Sequence, residues 1–154
     1  MAGKQTATNL TCSDIADYFL SLADEEAGDS ISNLKLQKLV YYAQGFSLAL
    51  HGKLLFPEVI EAWAHGPVVP ELYQAYKAYG CMGIEKPQDI DFSKYTDEIK
   101  ELLNEVWNVY GQYSAWRLRA LAHEEPPWQA AYNSGTSVIS HKELIEYFKT
   151  QVEE

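Results

Sequence analysis

Apolar positions recur at helical spacing along most of the chain, and one stretch departs from a single stripe. Between Ser32 and Gly52, the residues Leu34, Leu36, Leu39, Val40, Tyr42, Ala43, Phe46, Leu48 and Leu50 cover more than one face. A helix that is apolar nearly all round is packed on several sides, so this segment predicts a central helix of roughly 19 residues, about 28 Å long. Ser32 begins it, Ile31 and Leu36 form its hydrophobic staple, and Gly52 stops it.

The same period predicts helices on either side. Thr11, with Asp14 three residues on, caps a first helix carrying Ile15, Phe19, Leu22 and Ala23, with Gly28 as its C-cap. Its other side holds Asp14, Asp17, Asp24, Glu25 and Glu26 and reads as a solvated face, or more sharply as a surface for a basic partner. Pro70 starts a helix through Leu72, Tyr73, Tyr76 and Tyr79 that ends at Gly80. Thr96 caps a helix ending at Gly111, and Ser114 caps another reaching His123. Pro126-Pro127 breaks that helix before a short turn at Trp128–Tyr132, and Ser140 with Glu143 forms a capping box for the last helix.

Only the stretch from Lys53 to Val69 changes character. Val59–Ala64 is a short β-compatible run that could pair with Ile84–Lys86, and His65-Gly66-Pro67-Val68-Val69-Pro70 is a corner that aims the next helix. Gly66 and Pro67 read as requirements of that corner's backbone. The fold expected is mainly α, a compact single domain around a central apolar helix with at most a small β-hairpin. Residues 1–9 read as a flexible N-terminus and 10–154 as one domain.

Charge sharpens this picture. Four lysines and three glutamates give residues 32–80 a charge of +1, which leaves −11 for the rest of a chain whose total is −10. The near-neutral segment is the interior and its flanks are the surface. An acidic chain with no run of Lys or Arg disfavours nucleic-acid binding through phosphates. Two cysteines, Cys12 and Cys81, are too few for a disulfide framework; with no apolar leader and no span long enough for a bilayer, a cytoplasmic location is expected and no membrane partner.

Catalytic motifs are absent: there is no phosphate-cradling glycine loop, no nucleophile elbow and no paired-histidine metal helix. Cys81 reads as a small buried cysteine, and Glu124-Glu125 as a solvated pair. A small metal-dependent hydrolase using His65, His123 and Glu125 is the enzymatic alternative, without ligand spacing to support it. No cofactor is expected. The unusual feature is aromatic: eleven tyrosines, four tryptophans and five phenylalanines. Tyr73, Tyr76 and Tyr79 recur about one turn apart, and both core and interface readings of them stand.

Together these residues resemble a known family. Lys35-Leu36-Gln37-Lys38-Leu39, Tyr41-Tyr42-Ala43-Gln44-Gly45, Leu55-Phe56, Glu61-Ala62-Trp63, His65-Gly66-Pro67-Val68-Val69-Pro70 and Leu72-Tyr73 with Tyr76 are similar to the defining segment of the Panacea antitoxin domain. That is the SocA-like family, also known as phage-associated GepA-like proteins. Leu121, His123, Glu125, Pro127 and Trp128 resemble its second, looser motif. The resemblance implies a mainly helical, non-enzymatic antitoxin of a toxin–antitoxin system, often carried by prophages, that neutralises a cognate toxin by direct binding. The toxin would be encoded by an adjacent gene. One type of member instead implies an adaptor that delivers its toxin to an ATP-dependent protease. The residues expected at the partner surface are Trp63, His65, Tyr73, Tyr76, Tyr79 and Trp128.

Overall fold

A computed structural model describes residues 9–152 together with the backbone of Thr6 and Ala7. Of the stretch expected to be flexible, 1–9, residues 1–5 and 8 lie outside the described residues. Thr6–Ala7 (β1) pairs parallel with Lys53–Leu54 (β2).

The organising helix is α2, Asn33–His51. Ser32 Oγ accepts the Lys35 N–H at 3.2 Å, and the Gly52 N–H closes the other end on the Leu48 carbonyl at 3.1 Å. Around it stand α1 (Cys12–Leu22), α3 (Pro70–Tyr76), α4 (Asp97–Tyr110), α5 (Ala115–His123), α6 (Pro126–Ser134) and α7 (His141–Gln151). All but α6 pack directly on α2, and α6 packs on α5 and α7. Leu36, Leu39, Val40, Tyr41, Tyr42 and Ala43 have no exposed surface, as expected for a helix enclosed on several sides. The mainly α expectation holds, and the small β element is present.

Glycine at position 45, in mid-helix, costs about 1 kcal/mol relative to alanine by intrinsic propensity. Its reason is close approach: a Cβ there would overlap the edge of the Phe148 ring of α7. Phe148 is fully buried and meets Tyr41, Tyr42 and Phe46 edge-on, with ring centroids 5.6, 6.0 and 4.8 Å away. Gly45→Ala is therefore expected to lose about 1–3 kcal/mol through overpacking, despite the better helix former. Thermal unfolding followed by circular dichroism checks this. An unchanged or raised Tm would mean that α7 yields without cost.

Polar residues on α2 are buried too, and several fasten irregular backbone. Gln44 donates to the Phe56 carbonyl at 2.9 Å and accepts the Leu55 N–H at 2.7 Å. Ser47 donates to the Lys53 carbonyl at 2.7 Å. Lys35 donates to the Gly111 carbonyl at the end of α4 at 2.7 Å. A buried main-chain group left unpaired is costly, so these side chains do what a sheet partner does elsewhere.

Several local expectations are corrected. α1 ends at Leu22, and Gly28 closes a separate one-turn helix, Glu25–Ala27, whose cap Asp24 accepts the N–H groups of Glu26 and Ala27. Val59–Ala64 does not pair with Ile84–Lys86. Instead β3 (Glu61–Trp63) turns at once into β4 (Gly66–Val68), pairing Glu61 with Val68 and Trp63 with Gly66. Its other edge takes the 137–139 segment, through Ala62 N–H to Ser137 O and Ile139 N–H to Ile60 O, both 2.8 Å. The Pro126-Pro127 pair begins α6 rather than merely ending α5, since prolines at the first two helical positions sacrifice no hydrogen bond. Ser140 caps α7 through the Glu143 N–H alone, without the reciprocal half of a capping box. Cys81 is exposed, and Cys12 is the buried cysteine.

Candidate partner-binding surface

The β3–β4 hairpin is locked to α2 from beneath. Gln37 accepts the Val69 N–H at 2.8 Å and donates to Asn33 at 2.9 Å, and Asn33 donates to the Tyr73 carbonyl at 3.2 Å. Lys38, with no exposed surface, donates to the Pro67 carbonyl at 3.1 Å. Gly66 has φ +115, and a Cβ there would lie 2.7 Å from Lys38 Cε. Glycine is needed at this position both for the positive φ and for the room Lys38 occupies. Burial, followed by the nearby Arg119 charge, pushes the Lys38 ammonium down from 10.5 to about 7.

The hairpin is clamped from the side by α5 and α6. Trp128 donates its indole N–H to the Trp63 carbonyl at 2.7 Å. The His123 ring sits between two backbone carbonyls, Nε2 2.7 Å from Ala64 O and Nδ1 2.7 Å from Arg119 O, and meets Trp128 edge-on. On its outer side the hairpin presents Trp63 and His65, which join Tyr73 of α3. The ring centroids are 5.7 Å apart for Trp63–His65, 5.1 Å for Trp63–Tyr73 and 6.3 Å for His65–Tyr73. All three rings are half-buried. His65 Nδ1 is buried without a hydrogen-bond partner, and burial, then Lys38, Arg119 and His123, hold that imidazole below its ordinary value.

The six aromatic candidates therefore separate. Trp63, His65 and Tyr73 form one ridge. Trp128 stands behind it, 8% exposed, and carries its stacked neighbour Tyr132 at 4.6 Å. Tyr76 and Tyr79 form a second, half-buried pair 6.3 Å apart that leans on the core. Sequence reasoning passed over Trp116, which is 68% exposed with the Arg119 guanidinium 4.7 Å above its ring. Trp116, Arg119 and His123 share one stripe of α5 at spacings of three and four residues, a pattern that could have flagged them.

The enzymatic alternative loses its residues one by one. Glu125 is not solvated: it is 8% exposed and accepts the Tyr41 and Tyr42 hydroxyls, both at 2.8 Å. Burial pushes its carboxyl up from 4.5 to about 7, against the pull of the Tyr42, Tyr41 and Tyr147 hydroxyls. His65, His123 and Glu125 do not bring ligand atoms together. Among the described residues, the ligand atoms that gather within 4.8 Å belong to Cys12, Glu58 and Glu71. There the buried thiol is pushed up to about 12, first by burial and then by the two carboxylates.

The family model for the "Antitoxin SocA-like, Panacea domain" matches residues 36–129. That span opens inside α2 and runs through the hairpin, α3, α4 and α5 to the residue after Trp128. Antitoxin SocA of Caulobacter vibrioides (strain NA1000 / CB15N) is 33% identical over 145 residues, covering 79% of this chain and 73% of its own. No solved structure matches. The matched span contains the brackets of α2, the locked hairpin and the buried Glu125, and over these elements the chain belongs to the SocA-like Panacea antitoxin domain family.

Proposed function

We propose that this protein neutralises a cognate toxin by direct protein–protein binding, and that the Trp63–His65–Tyr73 ridge is its docking surface. The observation carrying this reading is that half-exposed aromatic rings stand on a backbone fixed by Gln37, Lys38 and Trp128. Rigid aromatic anchors lose little conformational entropy on burial and dominate binding energy where they sit near an interface centre. The exposed Trp116, with the Arg119 guanidinium over its ring, is a further aromatic anchor on α5, whose His123 touches the hairpin at Ala64. Two unpaired cysteines suit a reducing cytoplasm, and no helix among the described residues is long and apolar enough to cross a membrane.

The test is co-expression with the product of the neighbouring open reading frame, read as rescue of growth and as a co-purifying complex. Trp63→Ala and Tyr73→Ala are expected to weaken the complex about tenfold each and to lose rescue, with Tm little changed. A toxic neighbour that is neither bound nor neutralised would overturn the reading. The half-life of the bound toxin separates masking from delivery to an ATP-dependent protease, because masking lengthens it and delivery shortens it.

A further inference from the structure

At the other end of α2 from the hairpin lies a groove of about 460 Å³, floored by Phe46, Leu102 and Val106 and flanked by Leu50 and Val109. Leu50 is 50% exposed and Val109 40%, so apolar surface is left uncovered on both sides of the groove. Glu98, Glu101 and Glu105 line the same groove from α4. Glu98 is matched by His51 at 3.4 Å and Lys53 at 3.6 Å, whereas Glu101 and Glu105 have no ion pair among the described residues. Along α4 the apolar set Leu102, Val106 and Val109 and the acidic set Glu98, Glu101 and Glu105 each extend over seven residue steps, about 10 Å or two helical turns.

We infer that this groove docks an amphipathic helix of a partner protein, with apolar anchors on one face and Lys or Arg flanking them. The open apolar seam between α2 and α4, lined also by Gln151 and Val152 at the end of α7, offers the geometry in which a further helix lies, reading i, i+3, i+4 and i+7 anchors. The occupant's charge follows from the two unpaired glutamates, which a cationic helix complements and an anionic one does not. A second copy of this chain is disfavoured on the same ground, since each copy carries −10. The inference rests on the reading of the protein as a binder of a protein partner, but it names a different surface from the aromatic ridge.

The probe is a fluorescein-labelled leucine–lysine peptide of about four helical turns, with leucines at helical spacing. Fluorescence anisotropy with the full chain should show binding that weakens with salt. A scrambled peptide of the same composition and a leucine–glutamate counterpart should each bind at least about tenfold more weakly. Leu50→Asn and the pair Glu101→Lys/Glu105→Lys should weaken the lysine peptide by a similar factor. Glu25→Lys/Glu26→Lys, an equal charge change beyond the opposite end of α2, should not.

No binding, or binding indifferent to the groove variants or to the scramble, overturns the inference. So does concentration-dependent dimerisation that Leu50→Asn abolishes, which would make the groove a contact between copies. Because no toxin is used, a negative result here leaves the growth-rescue experiment to decide the antitoxin reading on its own terms.

Discussion

Glu125→Ala is expected to destabilise the protein by on the order of 4 kcal/mol, a fall in Tm of roughly 8–16 °C for a chain of this size. The carboxylate is the shared acceptor for two buried phenols, Tyr41 Oη at one oxygen and Tyr42 Oη at the other. Removing it strands both donors, each at a cost of about 1–3 kcal/mol, and leaves a cavity where water has little access. The aromatic frame around it is closely built. Tyr42 stacks on Tyr110 at 4.0 Å and Tyr41 meets Phe148 at 5.6 Å, which restrains both rings from swinging out to find another partner. A variant with wild-type Tm would show that the phenols reorganise freely and that the network is incidental.

The same residue makes stability depend on pH in a stated direction. Its folded value, about 7, is raised above the ordinary 4.5, so the folded state holds the proton more tightly than the unfolded chain. The stability this contributes is complete below pH 4.5 and is lost as pH rises through 7. Glu125→Gln keeps the shape and resembles the protonated acid. It should match wild type near pH 5 and exceed it by up to about 3 kcal/mol near pH 8, a sign opposite to that of the alanine variant. Urea unfolding at the two pH values distinguishes a group that is buried at a cost from one held by charge.

The central helix was legible because an apolar pattern on every face has one physical solution. The long-range polar contacts were not, since pattern gives no partner. Lys38 bonds a main-chain carbonyl 29 residues away, and Glu125 bonds phenols 84 and 83 residues earlier. A carboxylate before two prolines looks solvated until α2 is seen to bring the Tyr41 and Tyr42 hydroxyls onto it. The signal that existed lay inside the helix itself. Lys35, Gln37, Lys38 and Gln44 interrupt a run that is otherwise apolar all round, and polar residues enclosed on every side must bond something. The hairpin was misassigned for a related reason. Its turn, Ala64-His65, carries none of the usual Asn-Gly or Asp-Gly chemistry, and its register is set by Lys38, Gln37 and Trp128 rather than by local residues. The aromatic ridge could be named in part from the tyrosine spacing and the Trp63–Pro70 motif. On α5, the three- and four-residue spacing of Trp116, Arg119 and His123 was the available signal, but it could not tell which of these side chains stays exposed: Trp116 does, while His123 is bonded to the Ala64 carbonyl.

Lys38→Met is expected to remove most of a rise in stability between pH 7 and 9.5. Burial lowers the ammonium from 10.5 to about 7, with Arg119 adding to the effect, so across this window the unfolded chain holds a proton that the folded chain has released. Stability therefore climbs with pH, and the contribution present above 10.5 is lost as pH falls through 7, where the charge must be buried. Over 2.5 pH units the change is about 3 kcal/mol. The window stops short of 10 because the buried Tyr41 and Tyr42 hydroxyls, pushed upward by burial, favour their neutral forms and lose stability once the unfolded phenols ionise. The Glu125 slope runs the other way between 4.5 and 7, so the two windows meet near neutrality without overlapping. Methionine keeps the stem that fills the space under Gly66 and removes the titrating group together with its bond to the Pro67 carbonyl, a loss that does not vary with pH across this window. Unfolding in urea at half-unit pH steps should give a profile for Lys38→Met that lacks most of the wild-type rise. The remaining change comes from the buried Lys35 ammonium, held down by burial, and above pH 9 from the Cys12 thiol, pushed up to about 12. Lys38→Ala, which also empties that space, should lie about 2 kcal/mol or more below the methionine variant at every pH. A wild-type slope that survives in Lys38→Met would assign the titration to another group and leave Lys38 as no more than the strut that holds the hairpin to α2.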